Sequence, residues 1–440
     1  MRNVVVAKFG GSSLADSDQF QKVKNIVFAN KERRYIVPSA PGKRFSKDYK
    51  VTDLLYLCYQ HVNNDIPFED VFEIIEERFK GLVNELNINM DISKYLNEVK
   101  ENITNGASAD YAASRGEYLN GLILAKYLGY EFVDAAEIIK FKNNGLLDLE
   151  STQKLICEKM KNIERAVVPG FYGSMPNGDI KTFSRGGSDI TGSILARCLD
   201  AKMYENWTDV SGLLMADPNI VENPKSIEVV TYKELRELSY MGAKVLHEES
   251  IFPIRDVCIP INIKNTNRPE DKGTLIVPDD ADIKDYSGTI TGVAGKKGFV
   301  VIAIQKILMN QERGFCRKVL SILEHNCISF ENMPSGIDTV SLVIEENQIK
   351  DKLDDIIEEI KKQCKPDSVE VYPNMALIAT VGKGMIRTKG VAAKVLLSLA
   401  KADINIRMID QGSSEINIIV GVENDDFEKA VRAIYKAFEN

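Results

Sequence analysis

Two glycine pairs in this chain stand beside charged residues: Lys8-Phe9-Gly10-Gly11-Ser12-Ser13 and Ser184-Arg185-Gly186-Gly187-Ser188-Asp189. Glycine lets backbone N–H groups approach an anion closely, a helix start adds partial positive charge, and Lys8 and Arg185 each add a full one. Two such loops suit a phosphate donor held beside a charged acceptor. Taken alone, Lys8 to Ser13 reads equally well as an ordinary strand-to-helix turn, and Arg185 as a loop cation. The patterns GxxxxGK[ST] and GxGxxG and the protein-kinase HRD and DFG set do not occur, so any phosphate chemistry here uses another scaffold.

The elements that must carry these loops follow from the apolar pattern. Val4-Val5-Val6-Ala7 reads as a buried strand, and Phe20, Val23, Ile26 and Val27 have helical spacing, so the first glycine pair is expected to join strand to helix. Tyr35-Ile36-Val37 is a second strand, ending in Pro38-Ser39-Ala40-Pro41-Gly42-Lys43. Residues 52–104 and 108–128 are helical in pattern, 131–133 and 166–168 are short strands, and 171–183 is a hairpin. The second glycine pair opens a helix through Cys198, followed by a strand at 203–207 and a helix near 232–240. This alternation implies one large α/β domain with a mostly parallel sheet, whose strand ends are the usual place for a ligand. Past an acidic connector at 278–287, the order strand, helix, strand, strand, helix occurs twice, over 299–363 and 375–438. The expected domains are 1–289, 299–373 and 374–440, the last with a strand from 290–297.

Composition narrows the partners. The 440 residues carry a formal charge of −8 with no basic stripe, which argues against nucleic acid and acidic membrane. Seven cysteines without a CxxC pair fit reduced thiols in the cytoplasm. No apolar run reaches the length of a membrane span, and residues 1–15 do not read as a signal peptide. Three dispersed histidines make a zinc site a poor expectation.

Six segments taken in order resemble the aspartokinases: Lys8 to Ser13, Ser39 to Lys43, Ser114-Arg115-Gly116-Glu117, Arg185 to Asp189, Trp207-Thr208-Asp209-Val210, and Gly242-Ala243-Lys244-Val245-Leu246-His247. The tail, with Ile404 to Ile409 and Gln411 to Ile418, resembles the last ACT domain of that family. The resemblance spans the chain. It implies an α/β amino-acid-kinase fold with a mostly parallel central sheet, followed by two α+β (ferredoxin-like) ACT domains. It further implies a kinase that transfers a phosphoryl group from ATP, with Mg2+, to the β-carboxylate of L-aspartate, giving 4-phospho-L-aspartate.

Each residue role is carried over from that resemblance. Lys8 would bridge the acceptor carboxylate and the phosphates, with Asp189 orienting it. Arg185 would take the substrate α-carboxylate and Glu117 its ammonium, with Ser39, Thr52, Gly187 and Ser188 completing the substrate site. Gly10, Gly11 and Ser12 would meet phosphates, Thr208 and Asp209 the adenosine, and Lys244 the phosphates again; no protein metal ligands are expected. Each has a plainer reading: Glu117 as a surface residue paired with Arg115 or Lys126, Thr208 and Asp209 as a turn, Ser39 and Thr52 as caps, Lys244 as a solvated lysine. The chain departs from the family at His247-Glu248, where proline usually comes after the histidine, and at Leu214 and Asn219, where a tyrosine and an arginine are common.

The tail implies a homodimer through the ACT domains, with a tetramer also open, and an amino-acid effector, lysine first and threonine next. The effector contacts of lysine-sensitive relatives fall on Met309, Phe315, Cys316, Ser329, Phe330 and Glu331; Phe315, Cys316 and Phe330 also read as plain core. A chain ending at Asn440 is not expected to carry a fused homoserine dehydrogenase. Two rival readings stand beside aspartate kinase: a kinase for another amino acid, and a catalytically silent amino-acid sensor.

Overall fold

The computed structural model describes residues 2–184, 186–243, 252–281 and 288–439. They divide into two compact units. The first runs to Leu213 and takes in Ser226–Tyr232 and the described residues up to 281; the second takes in Leu214–Lys225, Lys233–Ala243 and the residues from 288 onward. Parts of the first 289 residues therefore group with the tail.

The first unit begins β1 (Arg2–Phe9), α1 (Ser17–Ala29) and β2 (Arg33–Pro38), and continues with the helical layer α2 (Val51–Asn63), α3 (Glu69–Glu85), α4 (Ile92–Thr104) and α5 (Ala109–Leu128). Then come β3 (Glu131–Phe132), α6 (Ala135–Ile138), α7 (Leu149–Lys159), β4 (Ala166–Val167), the hairpin β5 (Tyr172–Ser174) and β6 (Ile180–Thr182), α8 (Gly187–Cys198), β7 (Ala201–Thr208) and β8 (Val229–Thr231). After α9 (Tyr232–Tyr240), which apart from its first residue lies in the second unit, α10 (Phe252–Arg255), β9 (Ile261–Asn265) and β10 (Thr274–Val277) return to the first.

Its sheet has the order β3-β4-β2-β1-β7-β9-β10-β8 and is parallel except for the β9–β10 pair. Val4 to Ala7 are buried without alternation because β1 is central and covered on both faces, as parallel strands are. On one side α2 to α5 bring Leu55, Phe72, Phe79, Leu119 and Ile123 onto Phe9, Leu14 and Phe20 in a single core. Ser108 caps α5 by accepting from the Tyr111 amide at 3.1 Å, which explains the start of the long helix. Strands β8, β9 and β10 are additions to the sequence reading; for β9 the alternation of Ile261 and Ile263 was the available signal.

The second unit holds β11 (Gly292–Gln305), α11 (Phe315–His325), β12 (Thr339–Glu345), α12 (Glu346–Ile349), α13 (Leu353–Cys364), β13 (Ser368–Val381), α14 (Val391–Lys401), β14 (Met408–Asp410), β15 (Asn417–Glu423) and α15 (Phe427–Phe438). The two repeats share one antiparallel sheet of order β12-β11-β13-β15-β14. The reason is the length of β11 and β13: residues 292–297 pair with 376–381, while 301–305 pair with 368–372, with register slips around Phe299. Position 373/374 thus lies inside a continuous strand. Each half keeps its own core, one around Phe315, Val319 and Ile356, the other around Val395, Val420 and Ile434.

Candidate active site

Lys8 sits near the carboxyl end of β1, with Val37 of β2 on one side and Asn206 of β7 on the other. Burial of a lysine among apolar neighbours is costly unless its charge is matched. The match is Asp189: its Oδ1 lies 2.6 Å from Lys8 Nζ. Asn206 closes the triangle, donating from Nδ2 to the same Asp189 oxygen at 3.0 Å while its own Oδ1 accepts from Lys8 Nζ at 3.4 Å. Asp189 occupies the first turn of α8, where the helix favours a negative charge. Sequence reasoning passed over Asn206; its available signal was a primary amide next to Trp207, near the end of a strand adjoining the Thr208-Asp209 motif.

The two glycine pairs lead into different structures. Gly186 has φ 68°, the left-handed region that glycine tolerates, and α8 starts at the next residue with no side-chain cap. The first pair joins strand to helix as the spacing predicts, but through an intervening turn. Gly11–Leu14 form a single 3-10 turn, and α1 starts only at Ser17, where the Asp16 carboxylate accepts from the Gln19 amide at 2.9 Å. Asp16 occupies the helix end that a phosphate would have used, because an N-cap carboxylate satisfies the same amides. Gly11 is instead glycine for packing: an added Cβ would meet the Ala40 carbonyl at 2.9 Å, and one on Gly42 would meet the Gly11 carbonyl carbon at 2.6 Å. The Gly42 amide donates to the Gly11 carbonyl at 2.8 Å, so the loops after β1 and β2 touch along their backbones.

Around this contact, the Gly10 amide donates to the Trp207 carbonyl at 3.0 Å and the Ser13 hydroxyl meets that of Thr266 at 2.7 Å. Ser12 is half-buried beside them. Thr208 ends β7, its hydroxyl 3.1 Å from the exposed Asp209 carboxylate. These residues share the strand-end edge with Lys8.

Glu117 faces the loop after β2 from α5. It is buried, not a surface residue; burial pushes its carboxyl up to about 8, opposed by the nearby Ala40 amide and by the positive charges of Arg115 and Lys8. Its Oε2 is enclosed yet makes no hydrogen bond. Arg115 lies with its guanidinium 4.5, 4.6 and 5.1 Å from the rings of Tyr111, Tyr118 and Tyr172, donating to Ser114 Oγ at 3.1 and 2.9 Å. One turn along α5, Asn120 donates to the Ser39 carbonyl at 2.6 Å and fixes that loop. Thr52 stands half-buried in the first turn of α2, and Ser188 and Gly187 lie at the start of α8, Ser188 against Gly170. Arg185 and Lys244, with His247 and Glu248, lie outside the described residues. Among the described residues no three His, Cys, Asp or Glu side chains group to hold a metal ion.

In the second unit, Asn219 is turned onto Asp217, its amide nitrogens 2.8 and 2.9 Å from that carboxylate, and Leu214 is exposed. Met309 and Phe315 are core residues, with Cys316 packed partly against them. Ser329 and Phe330 line a cavity of about 420 Å³ with Leu320, Leu323, Glu324 and Ile328, and the Glu331 amide donates to the Val343 carbonyl at 2.7 Å. Of the six effector positions, Ser329 and Phe330 line this cavity, whereas Phe315 follows its plainer reading as core and Met309 is buried in the same core.

Residues 3–265 match the amino acid kinase family, and residues 378–438 match an ACT domain. Aspartokinase 3 of Bacillus subtilis is 38% identical over 98% of both chains. The crystal structure of Clostridium acetobutylicum aspartate kinase is 66% identical, with a TM-score of 0.94 over 99% of this chain and 100% of that one. Escherichia coli aspartokinase III, solved in complex with aspartate and ADP, is 25% identical with a TM-score of 0.75 over 99% and 100% of the two chains.

Proposed function

The chain belongs to the aspartokinases, as an aspartate kinase with ACT regulatory domains, and on that premise we propose how its residues divide the work of moving the ATP γ-phosphoryl group to the β-carboxylate of L-aspartate. The acceptor, with a reference pKa of about 3.9, is already ionised at neutral pH, so no general base is needed. The enzyme's task is positioning and the neutralisation of charge gathered between two anions.

The observation that carries this reading is the Lys8–Asp189–Asn206 triangle, together with the enclosed, unpaired oxygen of Glu117. Lys8 would lie between acceptor carboxylate and phosphates, held by Asp189 and Asn206 so that little reorganisation is needed when charge develops. The unpaired Glu117 Oε2 suits the substrate ammonium, whose arrival would draw that carboxyl back to its ionised form. Arg185 is assigned the α-carboxylate, and Ser39, Thr52, Gly187 and Ser188 the rest of the substrate. Gly10, Gly11, Ser12 and Lys244 are assigned the phosphates, Thr208 and Asp209 the adenosine. Mg2+ would arrive on ATP and offset phosphate charge, needing little protein ligation.

We place the reaction at the first step of lysine, threonine and methionine biosynthesis, in the cytoplasm, with the chain acting as a homodimer paired through its ACT units. Lysine is the proposed effector; it must bind a less active state more tightly to inhibit. Aspartate-dependent ADP release by the wild type, lost by about 100- to 1000-fold in Lys8→Ala, is the expected result. Equal activity in both would overturn the assignment of Lys8, and millimolar lysine that alters neither rate nor thermal stability would overturn that of the effector.

A further inference from the structure

Arg78, on α3, lies far in sequence from every residue assigned above, and it is buried. A buried guanidinium needs several acceptors in the directions of its fork. Arg78 has three. Nη1 donates to Asp48 Oδ2 at 2.7 Å; Nη2 donates to the Ala15 carbonyl at 3.1 Å and to the Gly42 carbonyl. Ala15 directly follows the 3-10 turn of the loop after β1, and Gly42 belongs to the loop after β2.

These are the loops whose backbones meet at Gly11 and Gly42, where even a methyl group does not fit. They carry the two sides of the reaction: Gly10 to Ser12 on the phosphate side, and Ser39, whose carbonyl accepts from Asn120, on the acceptor side. Asp48 neutralises Arg78 and is itself gripped by Arg44, from Nε at 2.9 Å and Nη2 at 3.1 Å. With both arginines on it, the Asp48 carboxyl is held well below the usual carboxylate range.

We propose that Arg78, with Asp48, is a positioning residue that staples the phosphate-side loop to the acceptor-side loop and sets the distance across which the phosphoryl group moves. It touches neither substrate. Its effect rests on the assignment of the two loops made above. Reacting atoms must come within about 3–3.5 Å, and a displacement of about 1 Å costs on the order of 100-fold in rate. A staple that fixes two backbone carbonyls at once controls that distance more firmly than loop packing alone.

The test uses the full chain. Arg78→Lys keeps the charge but has no planar fork to span three acceptors. It is expected to lower kcat about 10- to 100-fold, to leave KM for aspartate and ATP within about three-fold, and to speed amide exchange in segments 10–15 and 40–48 while β1 and α5 stay protected. A kcat within about two-fold of wild type overturns the proposal, as does a loss of protection throughout the first unit. Asp48→Asn removes the counter-charge with almost no change in volume and is expected to show the same pattern, weaker; if it moves neither exchange nor kcat, the proposal falls. The exchange pattern does not depend on which substrates are turned over. Wild type without aspartate-dependent ADP release would therefore sink the functional reading, while the exchange data would still judge the staple.

Discussion

Asn206 donates to Asp189 at 3.0 Å through the same carboxylate oxygen that the Lys8 ammonium contacts. One oxygen thus receives two donors from two adjacent parallel strands, and the position of the lysine is set by β7 as well as by α8. Asn206→Ala is expected to lower kcat about 10-fold, the scale of a hydrogen bond to a charged group, with KM for ATP nearly unchanged. Asn206→Asp would place a second carboxylate against Asp189 and is expected to be worse than alanine. Steady-state kinetics check both; an alanine variant with wild-type kcat would remove Asn206 from the site.

Glu117, proposed to take the substrate ammonium, is expected to make aspartate binding depend on pH. Its carboxyl stands at about 8, so near neutrality much of the free enzyme carries the protonated form, which holds an ammonium poorly. Apparent affinity for aspartate is expected to rise from pH 6 to pH 8.5. A KM for aspartate that stays flat or climbs over this range contradicts the assignment of Glu117 to the substrate ammonium.

The same group bears on stability, with a definite sign. Between the ordinary value of 4.5 and about 8, the folded chain keeps a proton on Glu117 that the unfolded chain has released. Stability therefore falls as pH rises through that window, by up to ~1.4 kcal/mol per pH unit from this group, and levels off above it. Glu117→Gln is expected to flatten that slope and to unfold at higher urea than wild type at pH 8, while losing aspartate binding. Urea midpoints at pH 5, 6.5 and 8 measure it.

Gly42→Ala tests the contact between the loops. Its Cβ would lie 2.6 Å from the Gly11 carbonyl carbon, backbone that cannot rotate away, so one loop must move. A loss of ~1–3 kcal/mol in stability is expected, with a fall in kcat. Calorimetry beside kinetics decides the matter; full activity at full stability would show that the loops separate freely.

Phe315 separates core from effector site in the second unit. It is 2% exposed among Val319, Ile322 and Ile356, so Phe315→Ala is expected to cost ~3–5 kcal/mol, seen as earlier melting of that unit with or without lysine. Unchanged melting with a lost lysine response would instead return Phe315 to the effector contacts.

Much of the fold was legible because it is written in local pattern. Val4 to Ala7, the caps and periodicity of α5, the hairpin at 172–182 and the repeated tail each follow from neighbours a few residues apart. So did the six ordered segments, which named the chemistry before any distance was known. The strands at 229–231, 261–265 and 274–277 were harder, being short and stabilised mainly by pairing with distant partners.

The site was legible by residue type and illegible by geometry. The sequence by itself, through ordered motifs that resemble one family, pointed to Lys8, Glu117 and Asp189 as candidates for one kinase site. Only the tertiary structure decided that Asn206 shares the Asp189 oxygen, that Asp16 takes the helix end expected for phosphate, that Glu117 is buried with an unpaired oxygen, and that Arg78 joins two loops. The physical reason is the same each time. A hydrogen bond or a desolvation penalty depends on ångström separations and on burial among groups remote in the chain, and neither quantity is a property of any local stretch of residues.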